Sequence, residues 1–397
     1  PDMFLSCMYT CHFGIYRKKI VDEIGGFREN YDGAQDYDLV LRFIEKTNKI
    51  HHIPKILYHW RTTATSTASD INSKNYASTS GIKALNDYKL RNSIKGEVLD
   101  GMWPTSYYLK RDVMGNPLIS IIIPTKDKVD MLKRCVDSIL HKTTYKNYEI
   151  VIVSNNSVEK TTFDYFDSLS SLENVEILYY NEVFNFSAIN NFAVQKAKGQ
   201  FLLFLNNDTE VISEDWLDAI LQHAQRNEVG AVGCKLLYSN NTVQHAGVIL
   251  GITGTPGEKG VAGHSHKHLP RNDNGNFGRV GVIHNLSAAT AACLMMRKEV
   301  FEEVGGFDEE NLAVAFNDVD LCLKIRDKGY LIVYTPFAEL YHHESISRGY
   351  ENTPEKQERF LKEVAYMRQK WGEVIDGGDP YYSPNLTLEK EDFSIRI

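Results

Sequence analysis

The stretch GQFLLFLNNDTE, residues 199–210, decides the fold, because an apolar run stops abruptly at two asparagines and an acid. Residues 201–205 carry no charge, which is typical of a strand buried on both faces of a parallel sheet. Asn206, Asn207 and Asp208 then lie where that strand leaves the sheet, the edge at which open α/β sheets bind ligands. An acid there can hold a divalent cation against a diphosphate, since hard cations prefer oxygen ligands. An Asn/Asp turn before the next helix is the alternative that this stretch alone leaves open.

The composition is that of a globular protein: 397 residues, 43% of them hydrophobic and 24% charged. No window approaches the roughly 20 apolar residues of a membrane span. The formal net charge of −8 argues against a general nucleic-acid binder. We therefore expect a cytoplasmic protein without nucleic-acid partners, and a peripheral contact with the inner face of the plasma membrane stays open. The six cysteines lack disulfide or metal spacing and are expected to be reduced core residues; a cluster of Cys7, Cys11 and His12 is disfavoured.

An internal repeat links the two ends of the chain. VDEIGGFRENYDGAQDYDLVLRF, followed by IPKILYHW, returns as FEEVGGFDEENLAVAFNDVDLCLKI, followed by TPFAELYHH. Asp36 then matches Asp318, and His59 matches His342. A long series of strand and helix patterns precedes the second copy, whereas almost none precedes the first. We therefore interpret residues 1–80 as the carboxyl half of a first domain whose amino half is absent from this chain.

The rest of the chain divides at changes in composition. Residues 81–116 are predicted to be a helical linker, because polar residues surround a helical pattern. The sequence Met-Gly-Asn-Pro then marks the start of a complete domain over residues 117–349. Residues 350–397 are predicted to be a C-terminal helix and a tail.

Strands and helices alternate regularly from residue 118 onward, which predicts a parallel sheet with right-handed crossovers. Polar turns follow two earlier strands, at residues 124–127 and 154–157, and should meet the 206–208 turn at one edge of the sheet. Residues 251–281 are rich in Gly, His and Asn and are predicted to be a long mobile loop over this site. The strands are expected at 118–123, 148–153, 175–179 and 201–205, and the helices at 129–141, 160–169, 186–197, 214–226 and 350–371.

This edge suits a sugar linked to a nucleotide diphosphate. Breaking the anomeric carbon–oxygen bond puts negative charge on the diphosphate, which a metal ion can meet. Asp208 and His342 are the candidate metal ligands. The acceptor hydroxyl must lose its proton as it attacks, and Asp318 is the candidate general base.

Simpler interpretations of these side chains stay open. Asp318 and Asp320 could be helix-terminal acids favoured by the helix dipole, and His342 with His343 could be a solvated pair at a strand end. Arg348 either clamps a phosphate or faces solvent.

The histidines at 264, 266 and 268 alternate as some zinc ligands do. A solvated loop is the favoured interpretation, because no Cys or acidic partner accompanies them. His245 is interpreted as a structural or acceptor-side residue rather than a metal ligand.

The motifs PTKDK, SNNS, FNFSAINNFAVQKAKGQFLLFLNNDTE, GGFDEE, NDVDL and YHHESISRG, in this order, resemble the family 2 glycosyltransferases with a GT-A fold. They are especially similar to members that build bacterial surface polysaccharides such as rhamnan and O-antigen. The resemblance covers residues 117–349 as a complete domain and residues 2–68 as the last part of a second one. It implies an α/β fold with a mostly parallel central sheet flanked by helices, preceded by a partial copy of the same fold.

The resemblance also implies a function. It describes a metal-dependent, inverting hexosyl- or rhamnosyltransferase that uses Mn²⁺ or Mg²⁺ and a nucleotide-diphosphate sugar, with UDP or dTDP as the expected nucleotide. The acceptor would be a glycan or a lipid-linked glycan, and other glycan-assembly enzymes could be partners. Asp318 stands at the place of the general base, and Asp208 and His342 at those of the metal ligands. The cofactor-binding positions carried over are Pro124, Thr125, Asp127, Ser154, Asn155, Asn156, Asn206, Asn207 and Asp208.

The sequence departs from the family pattern at two turns. Ser154 and Asn155 replace acids that usually read the base, which leaves the identity of the base open. Asn206 replaces the first acid of the Asp-x-Asp motif. In the amino-terminal segment, Asp36 and His59 match the base and the metal ligand, but no donor-binding half accompanies them.

Three other classes of protein fit the sequence less well. A non-catalytic carbohydrate-binding or scaffold module would tend to lose one of Asp208, Asp318 and His342, and all three are present. A sugar nucleotidyltransferase needs a Gly-rich basic loop after the first strand, and a dinucleotide dehydrogenase needs Gly-x-Gly-x-x-Gly there. The sequence has neither, so the transferase is the prediction and the scaffold its alternative.

Overall fold

The computed structural model describes residues 1–59, 75–252, 260–343 and 353–396. The chain forms two compact units, one of Pro1–Asp112 with Asn274–His284, the other of Val113–Asp273 with Asn285–Ile397. This division follows packing, so the domain boundaries predicted at residues 80, 116 and 349 stay predictions.

The first unit is a small helical body with one hairpin. Helix α2 packs against α3 around Tyr37, Leu41 and Leu85, and strands β1 and β2 pair antiparallel. Its bounds are Asp2–Leu5 (3-10 helix), Lys18–Glu23 (α1), Gln35–Ile44 (α2), Asn75–Arg91 (α3), Gly96–Asp100 (β1), Tyr107–Arg111 (β2) and Asn276–Gly278 (3-10 helix).

The second unit is organised around a central sheet. Its strands are Ile119–Thr125 (β3), Tyr148–Asn155 (β4), Val175–Tyr180 (β5), Phe201–Leu205 (β6), Thr209–Val211 (β7), Val229–Leu237 (β8), Val243–His245 (β9), Val248–Leu250 (β10), Ala262–His264 (β11), Cys293–Arg297 (β13) and Leu331–His342 (β14). A short strand β12, His284–Leu286, begins where the first unit ends. The helices are Val129–Lys142 (α4), Lys160–Leu169 (α5), Phe186–Val194 (α6), Trp216–Ala224 (α7), Lys298–Glu303 (α8), Asn317–Asp327 (α9) and Pro354–Asp376 (α10).

The sheet order runs β5, β4, β3, β6, β13, β8, β14. Strands β3 to β6 are mutually parallel, β13 is antiparallel to both β6 and β8, and β14 is parallel to β8. All five side chains of β6 are buried, as its uncharged sequence predicts. The expected α/β fold with a mostly parallel sheet flanked by helices is confirmed.

The repeat has matching local geometry in its two copies. The Gly-Gly pairs at 25–26 and 305–306 follow α1 and α8, and all four glycines have positive φ, a conformation that favours glycine. Arg42 of α2 donates to the Gly26 carbonyl at 2.7 Å, and Lys324 of α9 donates to the Gly306 carbonyl. The interpretation of residues 1–80 as a partial copy of the larger fold stays a prediction.

Three segments differ from expectation. The described part of the predicted mobile loop contains β11, which pairs with β10, while residues 253–259 lie outside the described residues. The C-terminal tail is not featureless, since Tyr382 and Phe393 pack with Ile249 and Ile252. Cys11 is exposed, so the prediction of six core cysteines holds only for the other five.

Among the helices of the described ranges, none combines the length and apolar character that crossing a membrane requires.

Candidate active site

The turn after β6 carries Asn206, Asn207 and Asp208. The backbone N–H of Asn206 donates to the Ala292 carbonyl at 3.1 Å, and the Thr209 hydroxyl donates to the Asn206 carbonyl at 2.9 Å. Strand β7 follows at once and pairs with the end of β14, so that Thr209 lies opposite His342. Backbone pairing therefore fixes Asp208 beside His342, although 133 residues separate them in the sequence.

Asp208 and His342 form a buried pair. His342 Nε2 lies 3.2 Å from Asp208 Oδ1, and the side chains are 8% and 5% exposed. Asn206 Nδ2 also lies 3.2 Å from the same ring nitrogen. When Nε2 is the unprotonated ring nitrogen, its lone pair and the Asp208 oxygen face one another, an arrangement that a cation in place of the Asn206 contact would stabilise.

The pair fits a divalent cation. Ligand atoms bound to one ion at roughly 2.1 Å are about 3 Å apart, close to the observed separation. His342 Nδ1 is buried and has no hydrogen-bond partner in the part of the chain that the structure describes. In these same ranges no group of three His, Cys, Asp or Glu converges on one point. Within the described residues this pair provides two candidate ligands, and diphosphate oxygens and water could complete the coordination.

His343 has a different environment from His342. Its Nδ1 lies 2.6 Å from the Ser239 hydroxyl, and its Nε2 lies 3.2 Å from Glu210 Oε2. The interpretation of these two histidines as a solvated pair is therefore wrong. Arg348, the candidate phosphate clamp, lies outside the described residues.

Asp318 lies in the first turn of α9 and bonds to a second segment of the chain. Its Oδ2 accepts from the Ala291 N–H at 3.1 Å, and its Oδ1 accepts from the Val319 N–H at 2.8 Å. Burial raises the pKa of Asp318 above its ordinary value, while these N–H groups and the Thr290 hydroxyl oppose that shift. Because the Ala292 carbonyl also accepts from Asn206, the segment around residues 290–292 connects the Asp318 carboxylate to the metal-side turn, residues 206–208.

Asp320, two residues later, is a structural acid. It is fully buried and accepts from Trp371 Nε1 at 2.8 Å, with Lys370 Nζ at 2.7 Å and Lys324 Nζ at 3.5 Å. A purely structural role thus describes Asp320, whereas the Asp318 carboxylate bonds to the segment of residues 290–291.

Helix α10 supports the loop that carries Asp318. The buried Glu363 accepts from the backbone N–H of Val314 at 2.8 Å and of Ala315 at 3.2 Å. The role of Glu363 was not predicted from the sequence, because nothing local distinguishes this acid from the other charged residues of its helix.

The predicted nucleotide-binding turns adjoin the metal-side turn. Strands β3 and β4 place Pro124 opposite Val153 and Thr125 opposite Ser154. Asn207 Nδ2 donates to the Thr125 hydroxyl at 3.0 Å, which connects these turns to Asp208. The structure thus brings the predicted positions to one edge of the sheet.

Three of those positions are also used as scaffold. Asp127 Oδ1 accepts from the N–H of Val158 at 2.8 Å and of Glu159 at 2.9 Å. Asn155 Nδ2 donates to the carbonyls of Tyr180 and Glu182, both at 2.9 Å, and Asn156 Nδ2 donates to Glu182 at 2.7 Å. A base in this site would therefore meet the remaining oxygen atoms of these side chains.

The solvated-loop interpretation is wrong for His264 and His266, whereas His268 is exposed. His266 is buried and stacks on Phe393, with 4.1 Å between ring centroids, and His268 stacks on Tyr238 at 5.0 Å. His264 contacts the fully buried His245. These ring contacts could not be predicted from the sequence, since each partner lies in a different segment.

The sheet order and the site define a glycosyltransferase domain of the GT-A class. Residues 120–305 match the family model described as glycosyl transferase family 2, and this domain belongs to that family.

Two curated relatives match almost the whole chain. It is 46% identical over 396 residues to protein y4gI of Sinorhizobium fredii, a match that covers 99% of this chain and 43% of that protein. It is 41% identical over 397 residues to the O-antigen biosynthesis protein RfbC of Myxococcus xanthus, covering 100% of this chain and 30% of that protein. The chain therefore spans less than half the length of these relatives.

Among solved structures, the crystal structure of GalNAc-T7 with UDP, GalNAc and Mn²⁺ aligns with a TM-score of 0.53 and 16% identity. The alignment covers 68% of this chain and 51% of that chain. A likeness at this identity shows the fold alone.

Proposed function

We propose that this chain is a metal-dependent, inverting glycosyltransferase that moves a hexosyl or rhamnosyl unit from a UDP- or dTDP-sugar to a hydroxyl of a bacterial surface glycan. The observation that carries the proposal is the arrangement of Asp208 and His342 next to the segment that binds Asp318. The O-antigen relative and the fold neighbour that holds UDP and Mn²⁺ support it. A lipid-linked acceptor, peripheral membrane contact and partner glycan-assembly enzymes belong to the same proposal.

In this mechanism each residue has one task. Asp208 and His342 would hold the divalent cation, which supplies positive charge for the departing diphosphate. Asn207, which donates to the Thr125 hydroxyl, would connect the turn that carries Asp208 to the nucleotide site.

Asp318 would perform the proton transfer. The acceptor oxygen forms a bond to the anomeric carbon, its proton passes to the Asp318 carboxylate, and the bond to the diphosphate breaks with its electron pair on the departing oxygen. Attack from the face opposite the diphosphate inverts the configuration. A pKa raised by burial makes Asp318 a stronger base than an exposed aspartate.

The first prediction tests this role through Asp318→Asn. We expect nucleotide diphosphate release to fall by about 100-fold or more, the usual contribution of a general base. The assay uses UDP-, dTDP- and GDP-sugars with Mn²⁺ or Mg²⁺. Glu299→Gln is the matched control, since Glu299 is an exposed first-turn acid of helix α8 and its replacement should leave the rate unchanged. Full activity in Asp318→Asn would contradict the assignment.

The alternative is a non-catalytic carbohydrate-binding or scaffold module. It would be favoured by the absence of nucleotide release across the donor panel together with no calorimetric binding of any nucleotide. Binding of UDP or dTDP that requires Mn²⁺ or Mg²⁺ would exclude it.

A further inference from the structure

A pair of histidines lies beside the candidate active site and has no task in the mechanism above. Strand β9 ends at His245 and β11 ends at His264, and their Nδ1 atoms are 2.9 Å apart. The rings meet edge to face, with centroids 5.0 Å apart. His245 is fully buried, whereas His264 is half-buried. The outer ring therefore reaches solvent while the inner ring fixes its orientation.

The contact between the two Nδ1 atoms requires complementary protonation of these nitrogens. Two Nδ1 atoms at this distance share one proton, so one ring donates while the other accepts. Burial, with smaller effects from Lys267 and His342, lowers the pKa of His264 to about 4. At neutral pH His264 therefore presents an uncharged Nε2 with one fixed role, donor or acceptor.

The pair adjoins the segment that contacts Asp318. Val248 lies opposite His264 in the β10–β11 pair and its N–H donates to the Ala288 carbonyl at 3.0 Å, while His245 and Ala289 both lie beside Gly233. Ala289 directly precedes Thr290, whose hydroxyl bonds to Asp318.

The sheet order separates the pair from the nucleotide turns. Those turns follow β3 and β4, on one side of β6, whereas β9 pairs with β8 on the other side. A donor that lies over β3, β4 and the β6 turn leaves the β8 side for the second substrate.

We propose that His264 binds a hydroxyl of the acceptor sugar and that His245 is its positioning residue. The inference rests on the proposed function of the same site. A neutral imidazole suits a hydroxyl, which both donates and accepts, whereas a second diphosphate or carboxylate would call for a charged partner.

The test uses the whole chain with ¹⁵N-labelled histidine, saturated with UDP and Mg²⁺. The probes are methyl glycosides of rhamnose, mannose, glucose, galactose and N-acetylglucosamine. At least one glycoside should shift the imidazole signals of His264 saturably and those of His245 with it. His268, stacked on Tyr238, is the internal control and should not respond.

Variants separate binding from structure. His264→Ala should weaken the glycoside by about 5- to 10-fold, the loss of one neutral hydrogen bond, and His268→Ala should not. His245→Leu should match His264→Ala, and His245→Asn, whose amide can replace Nδ1, should recover most of the affinity. Unchanged UDP affinity in all four variants shows that the donor site remains folded.

Each outcome bears on one proposal. Absence of a His264 response to every glycoside overturns the inference even when sugar nucleotides are consumed. A His245 response that keeps the wild-type affinity in His264→Ala overturns it as well. Glycoside binding at His264 without nucleotide diphosphate release from any donor supports the acceptor site and counts against the proposed transferase.

Discussion

The carboxylate of Asp318 is subject to two opposing effects. Burial raises its pKa above the ordinary value of 3.8, and hydrogen bonds from Ala291 and Val319 lower it, with burial the stronger. The folded protein therefore binds this proton more tightly than the unfolded chain. Stability contributed by the protonated form is present at pH below the ordinary pKa and is lost as pH rises through the folded pKa.

This sign gives the second prediction. Relative to Asp318→Asn, which cannot titrate, the wild type should lose unfolding free energy as pH rises from below 3.8 through the folded pKa. Urea unfolding of both proteins across this window measures the difference. The rate of transfer should change in the opposite sense, since the base must be deprotonated. A wild-type advantage that grows with pH would contradict the raised pKa.

Adjacent histidines provide the third prediction, which concerns the metal. His342→Ala should weaken Mn²⁺ binding in the presence of UDP by at least about tenfold, because it removes one of two protein ligands. His343→Ala is the matched control: it loses contacts with Ser239 and Glu210 but should bind Mn²⁺ like the wild type. Titration of free Mn²⁺ by electron paramagnetic resonance measures both. Equal losses in the two variants would move the ion away from His342.

At this scale the sequence predicted the acids and His342 because they end a recognisable strand or repeat. It could not reveal that Asp127 and Asn155 form hydrogen bonds to the backbone of neighbouring segments, since those partners depend on tertiary packing. The His245–His264 contact was equally hidden, because nothing local distinguishes it from a solvated loop.

Among the elements, α10 contacts the loop that precedes Asp318. Glu363 satisfies two backbone N–H groups just before Asp318, and Phe360 of the same helix meets Phe316, with 5.6 Å between ring centroids. The loop that precedes Asp318 is thus held in place by α10. Loss of this support should affect catalysis more than donor binding.

The fourth prediction follows for Glu363→Ala. Two buried N–H groups lose their acceptor, at a cost of about 1–3 kcal/mol each where water cannot replace it. We expect kcat to fall severalfold, while the affinities for UDP and Mn²⁺ stay near wild type. Glu358→Gln on the exposed face of α10 is the control. Parallel loss of UDP affinity would mean that the whole second unit had loosened.

Element bounds illustrate what periodicity can predict. The strand at Phe201–Leu205 and the helix at Lys160–Leu169 have the bounds expected from the sequence, because their patterns end at clear polar or turn residues. The last helix instead begins at Pro354, after the Thr353 cap, rather than at residue 350. Strand β11 was missed because a three-residue pairing in a Gly-rich segment has no periodicity of its own.

In the molecule as a whole, the two copies of the repeat differ in what covers them. Ile15 and Met295 each lie two residues before the arginine that begins a helix, yet Ile15 is 85% exposed and Met295 is fully buried between β6 and β8. Leu57 is likewise 73% exposed, whereas its counterpart Leu340 is buried. We propose that residues 1–80 correspond to the carboxyl half of a second domain of the same kind. Ile15 and Leu57 would then occupy sheet positions that, in the described residues, have no strand beside them.

The fifth prediction tests this asymmetry. Met295→Ser should destabilise the second unit by about 2–5 kcal/mol, as large-to-small changes in a core do, whereas Ile15→Ser should change the first unit by no more than about 0.5 kcal/mol. Hydrogen exchange of the slowest amides in each unit measures both free energies without assuming that the chain unfolds in one step. A cost for Ile15→Ser comparable to that of Met295→Ser would show that this side chain is covered in solution, and dilution would then distinguish a second copy of the chain from cover within it.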